Sequence, residues 1–180
     1  MVTGSSAMTI VEQLGRFASH ARRGELLPGF RLPAIDGSSV SLESYRGRTN
    51  LVFLFAGDKV DESPVAVLLE ELVARREEFT LEAAQVLVVV TSQLAAVPQR
   101  GRCAFLVVVD DGAHIHRNVG ATDAAGRPAP AVFVTDRFRE IFAAYLPGHG
   151  SALPGAKAIL DWLVFINIQC PECGVPEWPT

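Results

Sequence analysis

Cysteine is scarce in this chain, with three among 180 residues, at Cys103, Cys170 and Cys173. So few thiols, so unevenly placed, exclude the disulfide-stapled scaffold of a small secreted domain, and each must be argued singly. Long apolar runs are also missing. No segment approaches the roughly 20 apolar residues that cross a bilayer, and the stretch from Met1 to Ser6 lacks a basic segment followed by an apolar one. The chain is therefore expected to be cytoplasmic, with no membrane partner. Excess positive charge is absent: 16 Lys and Arg stand against 20 Asp and Glu, a net charge of −4, with both signs spread along the chain. Without a basic stripe to release counterions, a nucleic-acid partner is not expected. Internal repeats and low-complexity tracts are lacking as well, so function is to be sought in local motifs on one fold.

What is present suits one core, since 49% of the residues are apolar and the length is that of a single domain. Ile10, Val11, Leu14, Phe17 and Ala18 recur at helical spacing, which predicts a short amphipathic helix over 8–21 that packs on the core or on a partner. Residues 27–42, broken by Pro28, Pro33 and the turn signal Asp36-Gly37, read as an edge hairpin. Asn50 to Phe55 is an apolar run of the kind covered on both faces of a sheet. Ser63 and Pro64 then read as the cap and first turn of a helix with a Val67, Leu68, Leu72, Val73 stripe that ends near Phe79.

Further strands are expected at 85–90 and 105–109, with a helix over 93–99 between them, so the order is βαβαβ and the sheet largely parallel. A short helix over 113–119 follows. Strands at 131–135 and 141–145 should form an antiparallel hairpin. The last helix, over 154–168, presents Ala158, Ile159, Trp162, Leu163 and Ile166 on one face. The fold class is thus α/β, a central mixed sheet flanked by helices. The tail from Cys170 to Thr180 carries three prolines and cannot extend the last helix.

Several strings resemble the alkyl hydroperoxide reductase and thiol-specific antioxidant family, the peroxiredoxin-like redoxins of thioredoxin-like fold. The likeness runs over about 24–163. Gly24 to Pro33 resembles its G-x-x-x-P-x-F-x-L-P string, and Asp36-Gly37 to Tyr45-Arg46-Gly47 its D-G-x-x-x-x-L-x-x-Y-R-G. Val109 to Ala121 is similar to D-x-x-G followed by Y-G-V, and Pro130 to Asp136 to P-x-x-F-x-x-D. The resemblance implies a redoxin domain, placed here at 24–168, which leaves the N-terminal helical extension over 1–23 and a Cys-x-x-Cys tail over 169–180 outside it. It also implies that Pro130 is the cis-proline facing a redox loop; the ordinary reading is a trans proline that opens a strand.

The departure from the family lies in that loop. Family members place a cysteine at the start of the helix after the first core strand, where backbone N–H groups and the helix dipole stabilise its thiolate. Here the loop carries Asp58, Lys59, Asp61, Glu62 and Ser63, with no cysteine. Asp61 and Glu62 put the protein's own carboxylates at the position that favours an anion. Peroxide reduction by the family route therefore has no nucleophile at this loop.

The sharpest remaining motif is Cys170-Pro171-Glu172-Cys173-Gly174. In one reading it is a relocated redox pair that makes the chain a thiol:disulfide oxidoreductase with an unknown thiol or disulfide partner and no cofactor. In another it is a knuckle for structural zinc; it supplies two of four ligands, so a second chain or other side chains would complete the site and a homodimer would follow. In the third the thiols are inert and the protein is a non-catalytic redoxin. Placement after a helix C-terminus opposes thiolate formation. Cys103 reads as a small buried hydrophobe, or as a resolving partner for the pair. His114 and His116 are two apart, facing different sides of a helix, which argues against a shared metal and for a solvated helix start. His20 and His149 are isolated. Trp162 is assigned to the core, and Trp178, between Pro176 and Pro179, to an anchor for the tail.

Overall fold

The computed structural model describes residues 21–57, 64–91, 104–146 and 152–169. Within them the chain forms β1 (Arg31–Pro33), β2 (Ser39–Ser41), a 3-10 turn (Leu42–Tyr45), β3 (Asn50–Phe55), α1 (Pro64–Ala74), α2 (Arg76–Leu81), β4 (Ala84–Val90) and β5 (Leu106–Val109). A 3-10 turn (Asp111–Ala113), α3 (His114–Val119), β6 (Ala131–Thr135), β7 (Ile141–Tyr145) and α4 (Ala156–Ile168) follow. The expected helices over 8–21 and 93–99 lie outside the described residues, apart from Ala21, which is buried.

Five strands make one mixed sheet in the order β5-β4-β3-β6-β7. β3 is central: it runs parallel to β4, with Val52 opposite Val86, and antiparallel to β6, with Phe53 opposite Phe133. All six of its residues are buried. Because side chains alternate along a strand, Val52 and Leu54 face the core beneath α1 and α4, whereas Leu51, Phe53 and Phe55 face the core beneath α3 and the β1–β2 hairpin. That two-sided burial explains the unbroken apolar run. The hairpin lies along β5, joined through Ile35 N–H to the Val107 carbonyl at 3.1 Å. Its turn forms as expected, with Ser38 N–H donating to Asp36 Oδ1 at 2.9 Å and Gly37 at a φ of 86°.

Two expectations about the first helical segment need correction. It is two helices, α1 and α2, separated at Arg75. Arg75 leaves helical geometry at φ −110°, ψ 14°, and the redirected α2 buries Phe79. Val67 is 61% exposed, because Val65, Leu68, Leu69 and Leu72, at i, i+3, i+4 and i+7, form the buried face and Val67 falls outside that arc. In α4, Ile159, Leu163 and Ile166 are buried as expected, while Ala158 and Trp162 are only half-buried. Trp162 donates its Nε1–H to the Tyr145 hydroxyl at 3.0 Å.

Candidate functional site

The parallel strands β3, β4 and β5 end at one pole of the sheet, where the resemblance puts the redox loop. β3 passes through buried Ala56, whose N–H donates to the Val89 carbonyl at 2.9 Å, and into Gly57 at a φ of 68°. A Cβ at Gly57 would stand 3.1 Å from Pro130 Cδ and 3.2 Å from the Ala129 backbone. Glycine is therefore needed here for its backbone angle and for the close approach of the chain. Pro130 thus packs close to Gly57, the last described residue before the 58–63 loop.

The bond before Pro130 is not cis, since the described residues contain no cis peptide bond. Trans is favoured by about 0.5–1 kcal/mol for an ordinary X–Pro bond. Ala129 N–H is taken by the Ala121 carbonyl at 3.0 Å, and Pro130 lies just ahead of the ladder that begins at Ala131, so its missing N–H costs no sheet hydrogen bond. The residues of the loop itself, Asp58, Lys59, Asp61, Glu62 and Ser63, lie outside the described residues, as do Cys103, Cys170, Cys173, Trp178, His20 and His149.

A feature not anticipated from the sequence completes this pole. His116 is 0% exposed and its Nδ1 stands 2.7 Å from Asp110 Oδ2. The same carboxylate accepts the N–H of His116 at 2.9 Å and, through Oδ1, the N–H of Ile115 at 3.1 Å. Burial pushes the Asp110 carboxyl up, but the hydrogen bonds from the His116 side chain and from the backbone of His116 and Ile115 outweigh it and hold the group below its ordinary 3.8. An ionised Asp110 requires His116 to carry its proton on Nδ1 as the donor. Nε2 is then left buried without a partner, and the ring meets Phe55 edge-on, centroids 5.0 Å apart. The expectation of a solvated helix start holds for exposed His114 and fails for His116. The overlooked signal is an aspartate closing a strand six residues before a histidine, close enough to cap the helix and grip the ring. Sealed in this way, the dyad is a clamp that ties the end of β5 to α3.

The opposite pole is organised around Asn50, at the start of β3. Its Nδ2 donates to Asn167 Oδ1 at 2.8 Å and to the Glu82 carbonyl at 3.3 Å, and Asn167 Nδ2 in turn donates to the Glu82 carbonyl at 2.9 Å and to its Oε2 at 2.8 Å. This network fixes the last turn of α4 three residues before Cys170. β3 spans about 17 Å at ~3.3 Å per residue, so the point from which the Cys-x-x-Cys tail departs lies a full strand length from Gly57 and Pro130. Among the described residues no group of three or more His, Cys, Asp or Glu could hold a metal ion, and no helix is long and apolar enough to cross a membrane.

Solved structures of similar fold include AhpC of Mycobacterium tuberculosis, 18% identical with a TM-score of 0.68, the match covering 84% of this chain and 97% of that one. The reduced 2-Cys peroxiredoxin of Plasmodium vivax is 15% identical with a TM-score of 0.67, covering 81% and 96%. Peroxidoxin BcpB of Mycobacterium tuberculosis is 18% identical with a TM-score of 0.65, covering 82% and 99%. At these identities the likeness speaks for the thioredoxin-like fold alone. No curated protein matches the chain in sequence. The AhpC/TSA family model matches residues 24–144, two thirds of the chain and every strand of the sheet but the last residue of β7, so this chain belongs to the AhpC/TSA family.

Proposed function

We propose that this family member is a thiol:disulfide oxidoreductase in which Cys170 and Cys173 replace the thiol absent from the 58–63 loop. One observation carries the reading: of the three cysteines, none falls in that loop and two stand three apart immediately beyond a helix end pinned by Asn50, Asn167 and Glu82. Two such thiols can close on one another within a tight turn. The reaction needs no cofactor, only an exchange partner that carries a thiol or a disulfide, and neither nucleic acid nor membrane. A dithiol kept ready for exchange suits a reducing compartment such as the cytoplasm. In this reading the Gly57–Pro130 pole is retained as scaffold, and peroxide turnover by the family route is absent because that route needs a low-pKa thiolate in the loop.

The test is the mass of the purified full chain, native and denatured, with and without reductant. The oxidised chain should weigh about two hydrogens less than the reduced one, a disulfide having replaced two thiols, and Cys170→Ser should abolish the difference without unfolding the domain. A metal shared by two chains, released by chelator together with the dimer, would replace this reading with a structural zinc knuckle. Two free thiols in air-exposed, metal-replete protein would sink both.

A further inference from the structure

A polar cleft of about 380 Å³ opens between α2 and the starts of β4 and β5. Arg76, Glu77, Thr80 and Gln85 line it, with Phe79 and Phe105 among its apolar walls. Arg75 next door is engaged with Glu78 at 3.1 Å, whereas the Arg76 guanidinium, exposed on the cleft, has no ion pair or side-chain hydrogen bond among the described residues.

Connectivity ties this cleft to the thiols. α2 supplies one wall, and the residue that ends it, Glu82, is the one that Asn167 grips, three residues before Cys170. A helix of six residues is about 9 Å long, so the tail departs within a short helix length of the cleft. On the other side Ala104 lines the cleft and directly follows Cys103 in the chain.

Resting on the dithiol reading above, we propose that this cleft binds the substrate of the Cys170/Cys173 pair, and that the substrate is a small peptidic disulfide bearing a free carboxylate. The carboxylate pairs with Arg76 and an amino group with Glu77, while amides find Thr80 and Gln85 and the sulfur-bearing methylenes lie against Phe79 and Phe105. In the reaction one cysteine thiolate attacks a sulfur of the bound disulfide, forming a mixed disulfide and releasing the first peptide thiolate, which takes up a proton. The second cysteine thiolate then attacks the protein sulfur of that mixed disulfide. The protein disulfide forms, the second peptide thiol leaves, and two electrons have passed from protein to substrate.

The experiment is a single-turnover reaction of the reduced full chain with oxidised glutathione, a tripeptide disulfide, and with uncharged 2-hydroxyethyl disulfide. Arg76→Ala should lower the ratio of the two rates about fivefold, the worth of a partly exposed ion pair of about 1 kcal/mol, and Arg76→Lys should restore most of it. In parallel, the Cys170→Ser/Cys173→Ser chain, unable to react through the pair, should show amide shifts at Thr80, Gln85 and Phe105 when oxidised glutathione is added. Shifts at the cleft with neither disulfide reduced by the wild type would sink the dithiol reading and leave a peptide-binding cleft. Both disulfides reduced, with no shifts and an unchanged ratio in Arg76→Ala, would overturn the cleft and leave the dithiol.

Discussion

The two poles of the sheet solve the same problem, a buried polar group next to the central strand, in opposite ways. At the C-terminal pole Asp110 and His116 are sealed: the carboxylate accepts three hydrogen bonds, the imidazole is wholly buried, and Nε2 faces no partner. At the N-terminal pole Asn50, Asn167 and Glu82 share a network that opens outward and ends on the Glu82 carboxylate, since Asn167 is exposed and leads directly to the tail. The sealed pole is a structural clamp and the open one a platform. A clamp that tolerated loss of a partner would not be structural, whereas changes at one pole that leave the other untouched would show that the two act independently.

The largest effect should come from the clamp. Asp110→Ala strands the His116 ring nitrogen and two backbone N–H groups in the interior, and breaking a buried pair on one side costs about 3–5 kcal/mol. A urea titration should show the midpoint falling accordingly, with Asp110→Asn intermediate because it keeps an acceptor. A loss below about 1 kcal/mol would mean that the pole opens to water.

The same carboxylate sets an acid limit. Its folded pKa is lowered below the ordinary 3.8, so its contribution is fully present above the unfolded value and is lost as pH falls through the folded one. Stability measured from pH 6 downward should therefore drop in the wild type below about pH 4, and drop less steeply in Asp110→Asn. Identical profiles would remove Asp110 from the account.

Gly57→Ala should rank next. Its φ of 68° strains any side chain, and the added methyl would press on the Ala129 backbone at 3.2 Å as well as on Pro130. A residue forced into this region costs about 1–3 kcal/mol, read as a fall in Tm, with the Asn50 pole unaltered.

How much of this was legible beforehand follows from the range of each signal. The run from Asn50 to Phe55, the Asp36-Gly37 turn, the β6–β7 hairpin and the Ile159, Leu163, Ile166 part of the α4 face are written in local periodicity and turn chemistry, and they stand where the pattern put them. Val67 and the break at Arg75 were not, because an apolar residue announces burial without saying which of two overlapping arcs faces the core. The trans bond before Pro130 went against a family motif, and a motif constrains residue type more than isomer. The Asn50–Asn167 bond joins residues 117 apart, and nothing local in either asparagine distinguishes it from a surface one. The Asp110–His116 clamp lies between these cases: its spacing was visible, but burial of the ring depends on Phe55, which arrives from β3.

The smallest effect, and the one that tests the division between poles most directly, belongs to Asn167. Asn167→Ala removes its hydrogen bonds to Asn50 and Glu82, yet Asn167 is itself exposed, so water replaces much of what is lost on its side. Asn50 is 4% exposed and its side-chain amide keeps its longer contact to the Glu82 carbonyl. The expected loss is therefore about 1 kcal/mol, that of a typical net hydrogen bond or two. The informative readout is hydrogen exchange. Amides over the last turn of α4 should exchange faster, because the helix end is no longer fixed to β3 and α2, while the amides of Ile115 and His116, held by Asp110, should keep their protection. Faster exchange at α3 would show that the poles are coupled through β3. Unchanged exchange at the end of α4 would show that packing of Leu163 and Ile166, rather than the asparagine network, sets the point from which the dithiol departs.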